Sequence, residues 1–238
     1  LDVLRRLGVG HVHFHHLLGH DPIIRDLPHL LNVTYDFTAH DYFSYCTHIT
    51  LTGTKDRYVE ELGPGQCGCC PPDMGAPSHG NVVHWRAANA RLLVGARHVL
   101  APSHDTARRI AAFAPAVTVL PIPHTDVTDV ASLPLPAPRL VPAQASLKIV
   151  VIGALSAIKG ADVLEAVAME AARRKVPIEF HLIGFAYRQL QTQPRARLTV
   201  HGGYAEEDLP GLIEWLQPDL AWFPAQWPET YSYTLSAA

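Results

Sequence analysis

Short apolar runs bounded by turn residues alternate with longer amphipathic stretches along most of this chain, which is the punctuation of an α/β protein. Leu1 to Leu7 reads as the end of a helix closed at Gly8, and His11 to His16 alternates as a strand should. A proline-bounded helix, Pro22 to Leu31, leads directly into a second strand, Val33 to Thr38. From Ser44 to Gly80 no period is sustained, and a loop of that length in a compact domain is usually functional, mobile or tied down. A helix is predicted from Asn81 to Gly95, with Val82, Val83, Ala87, Ala90 and Leu93 as its buried stripe. Val99 to Ala101 is a short strand, Ser103 is a good N-cap for a helix reaching Phe113, and Val117 to Leu120 is another strand.

Pro121 to Ser146 breaks every pattern with six prolines and reads as an interdomain linker. The α/β alternation then restarts. Lys148 to Ile152 is almost continuously apolar, as a strand buried on both faces must be. Gly153 to Ile158 is a loop, Lys159-Gly160 opens a helix to Arg174, and strands follow at Ile178 to Gly184 and Leu198 to His201. A helix at Glu206 to Leu216, a strand at Leu220 to Pro224 and a helix opening near Tyr231 complete the series. The expected organisation is a first Rossmann-like domain over residues 1–121, a linker over 122–147 and a second domain over 148–238. Each would be a doubly wound parallel sheet.

Composition narrows the function. A net charge of −3 over 238 residues offers no basic footprint for nucleic acid. No apolar run approaches the roughly 20 residues that cross a bilayer, and Leu1 to Gly10 does not read as a signal peptide. Cysteines are uneven: Cys46 stands alone while Cys67, Cys69 and Cys70 crowd together, a poor disulfide frame that leaves free thiols or a metal site. His11, His13, His15, His16 and His20 fall in one burst. On a strand His11, His13 and His15 share a face and His16 takes the other, so they do not form a ready tetrahedral metal cluster.

Candidate chemistry gathers at the carboxyl ends of strands, where open α/β sheets bind ligands. Glu229 sits in the turn after the last strand; it suits a polyhydroxyl ligand, or it is a first-turn acid favoured by the helix dipole. The loop Gly153-Ala154-Leu155-Ser156-Ala157-Ile158-Lys159-Gly160 suits a diphosphate, with amides donating and the ammonium as a point charge; the plain alternative is an ordinary turn with a surface lysine. His40 follows a strand within Thr38-Ala39-His40-Asp41-Tyr42.

Trp227-Pro228-Glu229-Thr230-Tyr231-Ser232-Tyr233-Thr234-Leu235-Ser236 resembles the sugar-donor signature of retaining GT-B glycosyltransferases, in the large family usually numbered four. The Thr-x-His-Asp strand end, the Ala101-Pro102-Ser103 helix start and the Ile152-Gly153 to Lys159-Gly160 loop occur in that family's order. The resemblance implies two domains facing across a cleft and transfer, with retention and without a metal, of a sugar from a nucleotide-diphosphate donor to a saccharide or lipid-linked acceptor. It makes His40 and Glu229 catalytic. Gly153, Ser156, Lys159, Gly184, Tyr204, Glu229, Tyr231, Ser232 and Tyr233 are implied on the donor side, and His16, Gly19 and Asp41 on the acceptor side. His40 would hydrogen-bond the sugar or leaving group, while Glu229 would bind sugar hydroxyls. A single carboxylate also argues against a two-carboxylate glycosidase. The implied setting is bacterial envelope or polysaccharide synthesis, in the cytoplasm or against the inner face of the membrane.

Four departures qualify this expectation. The family's second donor carboxylate is replaced by Ala237, and a family arginine after the first loop glycine by Ala154. Relatives carry a four-cysteine loop whose position after the tyrosine is here Val59, leaving Cys46, Cys67 and Cys70, with His48, as a weak zinc candidate; no other cofactor is expected. The family's opening and closing strands are not in the chain, so both domains are expected to be incomplete. A nucleotide-binding or interaction module without turnover is therefore the alternative, and a nucleotide-sugar epimerase a weaker one.

Overall fold

The computed structural model describes residues 1–53, 57–59, 82–124 and 145–238. The chain falls into two compact units, Leu1–Asp126 with Pro228–Tyr231, and Val127–Trp227 with Ser232–Ala238. Most of the proline-rich stretch, Cys67, Cys69 and Cys70 lie outside the described residues.

The first unit is a parallel sheet in the order β1-β2-β3-β4, formed by β1 (His11–Phe14), β2 (Thr34–Thr38), β3 (Val99–Ala101) and β4 (Val119–Pro121). Helix α1 (Asp2–Arg6) precedes it and α2 (Leu27–Leu31) lies between β1 and β2. The expected helix from Pro22 is split: Pro22–Asp26 is 3₁₀, capped by the Asp21 carboxylate on the amide of Ile23, before α2 begins. A second proline, Pro28, near the start of α2 makes that break natural, because proline suits a first helical turn and not a helix interior.

Helix α3 (Val82–Gly95) matches its expected span, but its buried face differs from the predicted stripe. Val83 and Ala87 are exposed, whereas Trp85, Arg86, Asn89, Leu92 and Leu93 are buried. The polar members are satisfied locally: Trp85 Nε1 donates to the Phe43 carbonyl at 2.9 Å, Arg86 Nε to that of Tyr45 at 3.1 Å, and Asn89 Nδ2 to that of Trp85 at 2.9 Å. A search for apolar period alone misses a face built from satisfied polar groups. Helix α4 (His104–Phe113) starts at Ser103, whose hydroxyl accepts from the Thr106 amide, and buries Thr106, Ala107 and Ile110.

The second unit has the order β7-β6-β5-β8 and is also parallel. Its strands are β5 (Leu147–Leu155), β6 (Ile178–Ala186), β7 (Leu198–Gly202) and β8 (Leu220–Ala221). Strand side chains alternate between faces, so β5 and β6 feed two cores. Val151, Leu155, Phe180 and Leu182 pack with Leu164, Ala168 and Ala171 of α5 (Ala161–Arg174). Val150, Ile152 and Ile183 pack with Leu209 and Leu216 of α6 (Leu209–Leu216). Three residues of 3₁₀ helix, Glu206–Asp208, precede α6, and Pro210 stands in its first turn. The last expected strand is reduced to two residues, since Pro224 lacks the amide that would continue the ladder beyond Trp222, and α7 (Tyr233–Ala237) follows.

Candidate functional site

In the first unit, histidines stand within three residues of the carboxyl ends of β1, β2 and β4. His15 and His16 follow β1, His40 follows β2 and His124 follows β4. His15 Nδ1 lies 2.8 Å from His40 Nε2, and His40 Nδ1 lies 3.0 Å from His124 Nε2. The rings of His13 and His15 stack at 4.1 Å, and those of His40 and His124 at 4.6 Å. Burial, reinforced by His124 and His15 and opposed by Asp41, holds the His40 imidazole below its ordinary value. His124 is lowered by burial and by His15, and His13 by burial and by His15.

The histidine burst thus has an account in cross-strand chemistry. His11 faces Thr34 Oγ1 and Asp36, His13 faces Thr38 Oγ1 at 2.8 Å, His15 faces His40, and His16 Nδ1 pairs with Asp41 Oδ2 at 2.5 Å. Each β1 imidazole finds its partner on β2 or just beyond it. Asp36 also accepts from Arg97 and His98, and the Arg97 hydrogen bonds hold its carboxyl well below the usual carboxylate range despite burial. That cluster ties the sheet together.

Among the acceptor-side candidates, His16 and Asp41 are brought together, and Asp41 additionally accepts from the Phe43 amide at 2.7 Å. Gly19 lies in an exposed turn at φ +80°. Cys46 is fully buried, with its sulfur accepting from the His48 amide at 3.4 Å. Among the described residues no group of three or more His, Cys, Asp or Glu side chains is arranged to hold a metal ion.

The segment Pro228–Tyr231 belongs to this same unit. Thr230 is buried; its hydroxyl donates to the backbone carbonyl of His40 at 2.5 Å, and its own carbonyl accepts from Thr106 Oγ1 at 3.2 Å. Tyr231 presents its ring edge-on to His124 at 5.2 Å. Half-buried Glu229 is thereby carried on a loop tethered to the strand end that bears His40.

In the second unit, the order β7-β6-β5-β8 has the first strand of the unit between the second and the fourth, so the winding direction reverses between β5 and β8. A crevice at such a reversal is where doubly wound sheets take ligands. Gly153 is at the carboxyl end of β5, and Ser156 and Lys159 lie on the exposed loop to α5, where the Lys159 amide donates to Ser156 Oγ at 3.4 Å. Gly160 adopts φ +89°, and a Cβ there would run into the Pro224 carbonyl. The Gln226 amide donates to the Ile158 carbonyl at 2.7 Å, so the segment after β8 lies directly on the Lys159 loop. Gly184 is buried at φ +135°, where a Cβ would strike the Gly153 carbonyl. Its part is close approach of two strand ends. Tyr204 packs against the α6 core, and burial with help from Glu206 raises its phenol.

Ser232 caps α7, accepting from the Leu235 amide at 3.4 Å, and Tyr233 is exposed. A Cβ on Gly153 would approach the Thr234 methyl at 3.3 Å, so α7 stands beside the β5 end. Ala237 lines a separate cavity of about 740 Å³ with Glu206, Gln217 and Leu220, which none of the donor-side candidates borders. His15, His124, Thr106 and Thr230 are not among the site residues that the sequence implies; the strand-end rule that marks His40 also applies to His15 and His124.

No protein-family model and no curated protein sequence matches the chain. Among solved structures, the crystal structure of Anabaena HepE in complex with UDP matches 98% of this chain, with a TM-score of 0.52 and 14% identity. The chain spans 58% of the length of HepE in that structure. A crystal structure of a mutant S. aureus TarM in complex with fondaparinux, alpha-GlcNAc-glycerol and UDP is more remote, at a TM-score of 0.39 and 10% identity over 82% of this chain and 34% of that one. The likeness to HepE is one of fold: α/β, with two parallel four-stranded sheets and interleaved helices.

Proposed function

We propose that the chain is a glycosyltransferase of the GT-B kind, a hexosyltransferase that moves a sugar from a nucleotide-diphosphate donor to a hydroxyl of a saccharide or lipid-linked acceptor. The observation that carries this reading is the β5/β8 reversal, where the Gly153 to Lys159 loop and the segment after β8 meet. The fold shared with a protein crystallised with UDP supports a nucleoside diphosphate as the ligand.

In this reading Lys159 and the amides of its loop balance the diphosphate charge as the bond from anomeric carbon to phosphate oxygen breaks. Ser232 and Tyr233 bind the donor beside them. Glu229 accepts from sugar hydroxyls, and His40, whose two ring nitrogens face His15 and His124, acts on the reacting groups through those imidazoles. The acceptor oxygen bonds to the anomeric carbon and loses its proton. Retention, independence from metal, and association with the inner face of a membrane belong to the same proposal. They rest on the sequence resemblance.

A panel of nucleotide sugars, assayed for donor hydrolysis and transfer with wild type, Glu229→Ala and His40→Ala, tests it. Unchanged activity in both variants overturns the site assignment. Ala237, standing where the resembling family has a second carboxylate, favours one further reading, nucleotide binding without turnover. Calorimetry with uridine and guanosine diphosphates separates the two: heat of binding with no transfer supports the module, and no binding contradicts both.

A further inference from the structure

We infer that His15, His40 and His124 form a proton relay that runs from the Pro228–Tyr231 loop to solvent, with His40 joining His124 at the loop end to His15 at the solvent end. The three rings are joined nitrogen to nitrogen, at 2.8 Å and 3.0 Å. A neutral imidazole has one N–H and one lone pair, so each contact needs a donor on one side and an acceptor on the other. His40, in the middle with both nitrogens engaged, must donate to one neighbour and accept from the other. Two directions of the chain satisfy this equally.

In the first, His124 Nε2–H donates to His40 Nδ1, His40 Nε2–H donates to His15 Nδ1, and His15 carries its proton on Nε2. In the second, every proton has moved one place. A proton arriving at His124 Nδ1 sends the Nε2 proton of His124 to His40 Nδ1. The Nε2 proton of His40 passes to His15 Nδ1, and that of His15 Nε2 leaves to water. One proton enters, one leaves and no charge remains on the chain.

Three further observations fit this device. His15 is exposed, which gives the outer end access to solvent, while His124 is half-buried against the edge of Tyr231. The Thr230 hydroxyl fixes the His40 backbone, and stacking of His15 on His13 and of His124 on His40 holds the rings in line. The groups facing His40 are His13 and His15 from β1, Asp41 from its own strand end and His124 from the end of β4; the three imidazoles oppose a charge on His40 and Asp41 favours one. Burial lowers His40 and His124, so both are neutral near pH 7, the state a two-way relay requires.

The source of the proton, the acceptor hydroxyl, rests on the glycosyltransferase reading; the chain of imidazoles does not. The experiment therefore has two arms, both on the full chain. Long-range proton–nitrogen spectra of ¹⁵N-histidine protein should show His40 nitrogen shifts between the pyrrole and pyridine values. They should move toward a single tautomer in His124→Gln and in His15→Gln, two variants of which either suffices. His40 shifts and titration unchanged in a folded variant overturn the relay whether or not the protein transfers sugar. In an active preparation, His15→Ala should lower kcat at least about ten-fold with donor KM little changed, and added imidazole should restore the rate. Full activity, or loss without rescue, overturns the relay and leaves His15 a structural residue. Absence of turnover with every donor fails the glycosyltransferase reading alone, and the spectra then decide the chain.

Discussion

The hydroxyl of Thr230 donates to the backbone carbonyl of His40 at 2.5 Å, joining two residues 190 positions apart in the chain. The Thr230 carbonyl in turn accepts from Thr106, whose own backbone amide is held by the Ser103 cap of α4. The loop carrying Glu229 is thus fastened to a helix start and a strand end of the first unit. Thr230→Val keeps the shape and removes the hydroxyl, leaving a partly buried carbonyl unpaired, at a cost of about 1–3 kcal/mol. Thr230→Ser should recover most of this. Urea denaturation of the three proteins measures it, and equal stability of the valine variant would show that the tether contributes nothing.

Gly184 offers a second test because its backbone, at φ +135°, is closed to other residues and its Cα faces the Gly153 carbonyl. Gly184→Ala should destabilise by at least about 1–3 kcal/mol, by forcing apart the ends of β5 and β6. Gly211, inside α6 with nothing within 4 Å of an added Cβ, should behave oppositely. Gly211→Ala is expected to gain about 0.4–1 kcal/mol. Thermal unfolding of both variants checks the contrast, and a shift of the same sign in each would contradict it.

Acid should weaken the protein in two stages. Burial holds His13, His40 and His124 in the first unit, and His181 and His201 in the second, below the ordinary 6.5. The folded state therefore disfavours their protonation. Their contribution is fully present above 6.5 and is lost as pH falls from there through the lowered folded values. Hydrogen bonds from arginines lower Asp36, Asp105 and Glu165, and bring Glu170 to about 2. That second contribution is present above the ordinary carboxylate values and is lost below them. The Tm should fall between pH 7.5 and 5.5, then fall again below about pH 4.5. A Tm that is flat or rises between 7.5 and 5.5 would contradict the histidine assignment.

Much of this architecture is visible in the pattern of the chain. β3 matches its expected bounds, β5 and β6 are apolar because both of their faces are covered, and Ser103 caps α4 as its type suggests. The departures have local causes. Arg86 and Asn89 are buried because backbone carbonyls satisfy them, which no hydrophobic period records. Prolines convert the start of the Pro22 helix to 3₁₀ and end β8 early. His40 was legible from its place after a strand; its partners His15 and His124 come from the ends of other strands, and adjacency across a sheet depends on strand order. The attachment of Thr230 to His40 is longer in range still.

Lys159 stands on the loop that the Gln226 amide and the Pro224 carbonyl embrace, at the β5/β8 reversal of the second unit. If that loop takes a diphosphate, Lys159→Ala should weaken uridine or guanosine diphosphate binding about ten-fold, the loss of one charge-assisted contact of about 1.5 kcal/mol. Titration calorimetry at fixed ionic strength measures it. Equal affinity of variant and wild type would move the phosphates elsewhere.

The most direct measurement for the account as a whole is release of nucleoside diphosphate from a panel of nucleotide sugars, with and without saccharide acceptors. The glycosyltransferase reading predicts release from at least one donor, at a rate strongly reduced in Glu229→Ala and in His40→Ala. No release from any donor by protein that binds a nucleoside diphosphate would contradict turnover and leave a binding module in its place.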